Sequence, residues 1–96
     1  MTEQIVKEQV LDVRMLPAPE PFQKVMQALA VLPQNRILRM VHRREPFPLF
    51  KVLSENNWHY RTLNLYPDEF DILIWRGDEP SSEFYCQQPE SQLKRP

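Results

Sequence analysis

The sequence predicts a single small α/β domain with the element order βαβαββ, and three observations lead to this prediction. The chain has 96 residues, which leaves room for one hydrophobic core. Short apolar runs of strand type alternate with segments whose apolar residues recur at helical spacing. Right-handed crossovers would place both helices on one face of a mixed four-stranded sheet, which makes an α+β two-layer sandwich.

A proline-rich segment separates the first predicted strand from the first predicted helix. Residues 10–14 are of strand type, and Pro17, Pro19 and Pro21 follow them. Proline is tolerated in a first helical turn because its missing N–H would have no partner there, so this segment predicts a helix start. Helical spacing then relates Phe22, Val25, Met26, Leu29 and Leu32. Residues 33–35 end the helix, where Asn35 can supply a left-handed conformation.

The second strand and helix repeat this arrangement. Residues 37–41 are apolar and β-biased with Arg39 as the only charged member, which predicts a mostly buried, central strand. The segment Glu45-Pro46-Phe47-Pro48 opens a second helix. This helix continues through Leu49, Phe50, Val52 and Leu53 and stops at Asn56-Asn57.

A hairpin completes the predicted sheet, with strands at residues 58–66 and 70–75 and a turn at 67–69. The predicted domain covers residues 9–76, and the polar segments 1–8 and 77–96 are expected to be disordered tails. The sheet face without helices would then carry Leu73, Trp75 and some aromatic residues of the hairpin. These side chains would either form an exposed patch for a partner or pack under the tails.

Composition narrows the possible functions. Hydrophobic residues make up 42% and charged residues 26% of the chain, which is typical of globular proteins. The formal net charge of −1 gives no overall basic field, so we expect no nucleic-acid and no membrane binding. No targeting segment is recognisable, and the single cysteine, Cys86, cannot form an internal disulfide. We therefore expect a cytoplasmic protein that is a monomer or a weak homodimer.

One edge of the predicted sheet is a candidate binding site. Because the first two strands would be parallel, their carboxyl ends and both helix N-termini meet at this edge, where ligands usually bind in α/β sheets. Backbone N–H groups and helix dipoles there favour an anion. The candidate ligand-binding residues are Arg14, Ala18, Glu20, His42, Arg43, Arg44 and Pro46. The alternative is a solvated cluster of charges without a ligand.

His42 is the one side chain near this edge whose usual pKa is close to neutrality. It continues the parity of Leu38 and Met40, which predicts an imidazole on the helix-covered face. Metal or haem binding through His42 is one hypothesis, and a structural histidine that bonds a neighbouring loop is the other. Neither His59 nor Cys86 has neighbours at a recognised metal-ligand spacing, so no metal site and no cofactor are predicted.

The common catalytic motifs are absent from the sequence. Gly77 is the sole glycine, which excludes a glycine-rich phosphate loop, and no serine nucleophile elbow or His-Glu-x-x-His helix occurs. The acidic residues Asp68, Glu69 and Asp71 are expected to form a solvated hairpin turn without a function. The sequence therefore does not predict an enzyme.

The segment Leu-Asp-Val-Arg-Met-Leu-Pro-Ala-Pro-Glu-Pro at residues 11–21, followed by His42 and by Pro-Phe-Pro-Leu-Phe at 46–50, resembles a bacterial family. This family is called domain of unknown function 2249, and the resemblance covers roughly residues 10–76. The chain also looks like a distant relative of the TusA (SirA-like) sulfur carriers, which implies their βαβαββ fold. In those carriers a cysteine that receives a persulfide precedes the Pro-Glu-Pro, and Ala18 stands here instead.

That substitution bears on function, since persulfide transfer needs a sulfur nucleophile favoured by a helix N-terminus. The leading hypothesis is therefore a noncatalytic binding or regulatory module that contacts a small anion or a protein partner at the proline-marked edge. Sulfur transfer or redox work, as the resemblance implies, is the alternative.

Overall fold

The computed structural model describes residues 6–95 and contains the predicted elements in the predicted order, with one further helix. The elements are β1 (Lys7–Asp12), α1 (Glu20–Ala30), β2 (Arg36–His42), α2 (Phe47–Glu55), β3 (Trp58–Tyr66), β4 (Glu69–Arg76) and α3 (Pro80–Cys86), with a 3-10 turn at Glu90–Gln92. The predicted α/β fold class is confirmed.

The four strands form one mixed sheet in the order β1-β2-β4-β3. β1 and β2 are parallel, whereas β4 is antiparallel to both β2 and β3. Asp12 at the end of β1 lies beside Val41, and His42 at the end of β2 lies beside Phe70 at the start of β4. The carboxyl ends of β1 and β2 and the β3–β4 turn therefore share one edge of the sheet.

Prolines start both helices as predicted, and Asn57 follows the end of α2, whereas α1 ends at Ala30, before the predicted stop at residues 33–35. Pro19 and Pro46 directly precede α1 and α2, and each helix has a second proline in its first turn. The buried residues of α1 are Pro21, Val25 and Leu29, and those of α2 are Leu49 and Leu53, which is the four-residue spacing of one helix face. Asn35 and Asn57 adopt left-handed φ angles of 61° and 62°. Within residues 6–95, no helix is both long enough and apolar enough to cross a membrane.

Both faces of the sheet are covered, each by a different layer. Leu38, Met40, Ile72 and Ile74 pack against α1 and α2 in one core cluster. The alternate residues of the same strands face the other side, where Ile37, Leu73 and Trp75 form a second cluster with Cys86 and Leu93. The apolar runs of β2 and β4 are continuous because neither side of these strands faces water.

The chain end differs from the expected disordered tail. Residues 80–86 form α3, and both Cys86 and Leu93 are fully buried. Trp75 is only 1% exposed and packs with Cys86 and Leu93, so it does not form an open patch, whereas Trp58 and Tyr60 lie on the helix-covered side, where Tyr60 stacks on Phe50. Residues 77–96 are mostly polar, so the sequence did not indicate that Cys86 and Leu93 are buried. At the other end β1 begins at Lys7, inside the expected N-terminal tail, while residues 1–5 of that prediction lie outside the described residues.

Candidate functional site

The two proline-rich loops enclose one cavity at the edge where β1 and β2 end. The first loop leads from β1 into α1 and the second from β2 into α2, and parallel strands bring them together. The cavity has a volume of about 400 Å³. Its lining residues are Arg14, Leu16, Pro17, Ala18, Pro19, Pro21, Phe22, Met40, His42, Arg43, Arg44, Pro46, Pro48 and Leu49.

Six of the seven residues that the sequence singled out line this cavity, namely Arg14, Ala18, His42, Arg43, Arg44 and Pro46. Glu20 does not line it, and its exposed side chain belongs to the first residue of α1. Sequence reasoning did not identify the apolar wall, which includes Leu16, Phe22, Met40 and Leu49. Its signal was present in the helical spacing of Phe22 and Leu49, which was attributed only to the core.

His42 presents a defined imidazole to the cavity. The backbone N–H of Arg43 donates a hydrogen bond to His42 Nδ1 over 2.8 Å. In the neutral ring the proton is therefore on Nε2, which makes that nitrogen a hydrogen-bond donor. Burial lowers the pKa of His42 below its usual 6.5, and the positive charge of Arg44 lowers it further. His42 is thus a neutral donor at physiological pH.

The same hydrogen bond disfavours metal ligation by His42. Ligation through Nε2 would require the proton on Nδ1, where it would oppose the N–H of Arg43. Among residues 6–95 there is also no group of three or more His, Cys, Asp or Glu side chains that could hold a metal ion. The cavity wall itself contains no carboxylate and no thiol.

Arg43 and Arg44 are exposed residues at the cavity. Within the described part of the chain, neither guanidinium lies within 4 Å of a carboxylate, and the polar contact of the Arg43 guanidinium is with Met15 Sδ at 3.5 Å. Their positive charges are therefore available to a ligand. The two arginines directly follow His42, so three donors come from three consecutive residues.

Arg14 differs from these two arginines because carboxylates already hold it. Its Nη2 lies 2.6 Å from Asp12 Oδ2, and its Nη1 lies 2.6 Å from Glu69 Oε2. Hydrogen bonds from Arg14 lower the pKa of Asp12 to about 2 and also lower the pKa of Glu69. Arg14 contributes to the cavity wall, but Asp12 and Glu69 neutralise its charge.

The helix N-termini supply fewer donors than the sequence suggested. Pro19 and Pro21 have no N–H, and Glu20 N already donates to Pro17 O at 3.0 Å. At α2, Pro46 and Pro48 likewise have none, while Phe47 N donates to Glu45 O at 3.0 Å and Leu49 N to Pro46 O at 2.9 Å. The prolines, together with these hydrogen bonds inside the loops, leave few free N–H groups at the helix starts, where helix-terminal anion sites find their donors.

The expectation of a solvated acidic turn is wrong for two of its three residues, Glu69 and Asp71, while Asp68 is exposed. Asp71 is fully buried, and Glu69 bridges Arg14 and Arg95, so both carboxylates have structural partners.

Arg39 is also fully buried and donates to Asp71 Oδ2 at 2.8 Å, to Leu93 O at 2.7 Å and to Glu8. The ion pairs form a continuous series on the sheet face opposite α1 and α2. The sequence contains a signal for this series, because Arg39 and Asp71 each interrupt the apolar run of a central strand, and buried charges require partners.

Cys86 lies far from this chemistry. It is fully buried in the cluster on the opposite sheet face from the cavity, and burial raises the pKa of its thiol. Ala18 lines the cavity and has no sulfur. No thiol therefore faces the candidate site.

A comparison with protein families gives one match. A family model described as "Uncharacterized conserved protein (DUF2249)" matches residues 10–76. The matched range includes both proline loops and every residue that lines the cavity, and it ends before α3. Neither a curated protein nor a solved structure gave a significant match. The relationship to the TusA carriers stays a prediction.

Proposed function

Since the chain belongs to the DUF2249 family, whose description names no activity, we propose from the site alone that this protein is a noncatalytic module that binds an anionic ligand in its proline-lined cavity. The observation that carries this proposal is the presence, at a cavity of about 400 Å³, of two arginines without carboxylate partners among the described residues. Sites for small ligands usually have volumes of about 300–1,000 Å³, so the size fits.

The chemistry of the wall supports binding over catalysis. Proton transfer and nucleophilic catalysis need a second group beside a histidine, commonly a hydroxyl, a thiol or a carboxylate. The residues that line the cavity include none of these groups, and His42 is a neutral donor there. The site can orient and hold a ligand, but it offers no hydroxyl, thiol or carboxylate nucleophile.

Isothermal titration calorimetry at low salt tests the proposal. The wild-type protein is titrated with phosphate, sulfate, nitrate, acetate and hexanoate, and compared with the Arg43→Gln/Arg44→Gln double variant. We expect saturable 1:1 binding of at least one anion and a loss of about tenfold or more in the double variant, because hydrogen bonds to charged groups contribute about 1.5–3 kcal/mol. The control is Lys51→Gln, since Lys51 is exposed on α2 and does not line the cavity. Binding of no anion, or equal binding by the double variant, would contradict the proposal.

A protein partner at the same end of the molecule is the second candidate, and exposed apolar side chains beside the cavity favour it. Met15 is 80% exposed and Phe47 67% exposed, and Met, Phe and Arg are enriched in protein interfaces. The complementary partner would carry an acidic side chain beside an apolar one. A peptide-library selection with wild-type protein and with the Met15→Glu/Phe47→Glu variant tests this candidate. Enriched acidic-apolar peptides that fail to bind the variant would support it, and peptides without that pattern would exclude it.

Sulfur transfer is not proposed for this chain. The position of the carrier cysteine is Ala18, and the thiol of Cys86 is buried on the far side of the sheet. A persulfide carrier needs an accessible thiolate, and neither residue supplies one.

A further inference from the structure

The interior of the cavity is apolar, and this feature restricts the anions that it suits. Prolines, Leu16 and Phe22 supply the accessible apolar surface of the wall, since Met40 and Leu49 are fully buried. A small inorganic anion keeps its hydration unless several N–H donors replace the water, and the prolines have removed most of those donors here. Phosphate or sulfate alone therefore leaves the apolar wall unused.

The donors of the site belong to one short segment. Nε2 of His42 carries a proton, and Arg43 and Arg44 follow it directly in the chain. The first loop adds only Arg14, which Asp12 and Glu69 already neutralise. The cavity is thus polar along one segment and apolar elsewhere, which matches a ligand with one charged end.

We propose that the ligand of this cavity is a small organic monoanion with an apolar body, its charged group held by the His42-Arg43-Arg44 segment and its apolar part packed against the prolines, Leu16 and Phe22. This inference rests on the proposed function and specifies the ligand class. Burial of each methylene group strengthens binding by roughly two- to fourfold, so the length of the apolar chain is the decisive variable.

A homologous series of carboxylates tests the inference by calorimetry with the full chain. The titrants are acetate, butanoate, hexanoate and octanoate, with octylamine and inorganic phosphate as comparisons. We expect affinity to rise by roughly two- to fourfold per methylene group until the cavity is filled, and octylamine not to compete with octanoate. The variant Phe22→Ser removes an apolar wall residue that is 37% exposed, so folding should be retained. It should weaken octanoate at least threefold and leave acetate unchanged.

The outcomes separate this inference from the proposed function. Equal affinity for acetate and octanoate would overturn the inference, and so would tight phosphate binding. If the Arg43→Gln/Arg44→Gln variant loses that binding, the proposed anion site is still supported. Binding of no anion would overturn both. An acidic peptide that binds more tightly than octanoate, with no effect of chain length in the carboxylates, would overturn the inference and favour a protein partner.

Discussion

The imidazole of His42 lies at the end of β2 and lines the cavity. Its Nδ1 accepts from Arg43 N, and burial, with a smaller contribution from Arg44, lowers its pKa below 6.5. A base whose pKa falls on folding binds fewer protons in the folded state than in the unfolded chain. The contribution of neutral His42 to the unfolding free energy is therefore complete above pH 6.5. It is lost as the pH falls from about 6.5 towards the pKa of His42 in the folded state.

NMR titration of the imidazole carbons measures this prediction directly. We expect a His42 midpoint below 6.5, and we expect His42→Gln to lose the corresponding part of the pH dependence of the unfolding free energy. A midpoint at or above 6.5 would show that His42 is charged near neutrality, contrary to the neutral donor described above.

The thiol of Cys86 should be unreactive in the folded protein. Its thiol is fully buried, and burial raises its pKa, so little thiolate is present at pH 8. Iodoacetamide should therefore alkylate the native protein at least about a hundredfold more slowly than free cysteine. The protein unfolded in guanidinium is the control and should react at the ordinary rate. Native alkylation as fast as that of free cysteine would place the thiol in contact with solvent.

At the scale of elements, the strands β1, β2 and β4 are joined by charges on the sheet face opposite α1 and α2. Arg39 from β2 contacts Glu8 from β1 and Asp71 from β4, and Arg95 donates to the same Asp71 at 2.7 and 2.8 Å. The side chains of Arg39 and Asp71 are fully buried, and that of Glu8 is 4% exposed. Removal of Arg39 would leave two buried carboxylates short of a partner.

We expect Arg39→Met to lower the unfolding free energy by about 3–5 kcal/mol, measured by urea denaturation. The matched control is the exposed ion pair between Lys51 and Glu55, whose atoms lie 3.9 Å apart. Lys51→Ala should cost less than about 0.5 kcal/mol, because exposed pairs contribute little. If the unfolding free energy of Arg39→Met lies within about 1 kcal/mol of the wild-type value, the buried charges contribute no net stability.

The elements themselves were largely predictable from sequence because their signals are local. Paired prolines start α1 and α2, Asn57 follows the end of α2 with a positive φ angle, and Asn35 adopts a positive φ angle directly before β2. The partners of Arg39 and Arg14 were not predictable. They depend on the strand order β1-β2-β4-β3, which brings Asp71 and Glu69 beside them and which no local pattern specifies.

At the scale of the whole molecule, the sheet is enclosed on both sides, and the chain end forms one of the two layers. Leu93 is fully buried, its carbonyl oxygen accepts from Arg39, and Arg95 pairs with Asp71 and Glu69. The chain end is therefore part of the fold. A disordered tail was expected there because three or four anchoring residues spread over polar sequence leave no periodic signal.

Substitution of Leu93 tests this enclosure. We expect Leu93→Ala to lower stability by about 2–5 kcal/mol in thermal or urea unfolding, as other buried leucines do. The adjacent exposed residue supplies the control, since Lys94→Ala should stay within about 0.5 kcal/mol of wild type. Equal stability of the two variants would mean that the chain end contributes nothing to the fold.

The place of the candidate site was predictable from topology, but its character was not. Parallel β1 and β2 require Ala18 and His42 to share one edge, and the structure places both on one cavity. The sequence suggested an anion cradle of backbone N–H groups. In the structure, the prolines lack N–H groups, and the other N–H groups of the loops mostly donate to loop carbonyl oxygens. The result is an apolar cavity with arginines beside it, and these hydrogen bonds depend on the folded loops.

Binding in the proline-lined cavity can be observed residue by residue in a proton-nitrogen NMR spectrum of the labelled full chain, titrated with octanoate at low salt. We expect saturable shifts of amides that border the cavity, among them Leu16, Ala18, Phe22, Arg43 and Leu49. Amides of the opposite sheet face, such as those of Leu63 and Cys86, should not shift. Shifts confined to β3 and α3, or no shifts at all, would contradict the claim that the proline-lined cavity is the binding site.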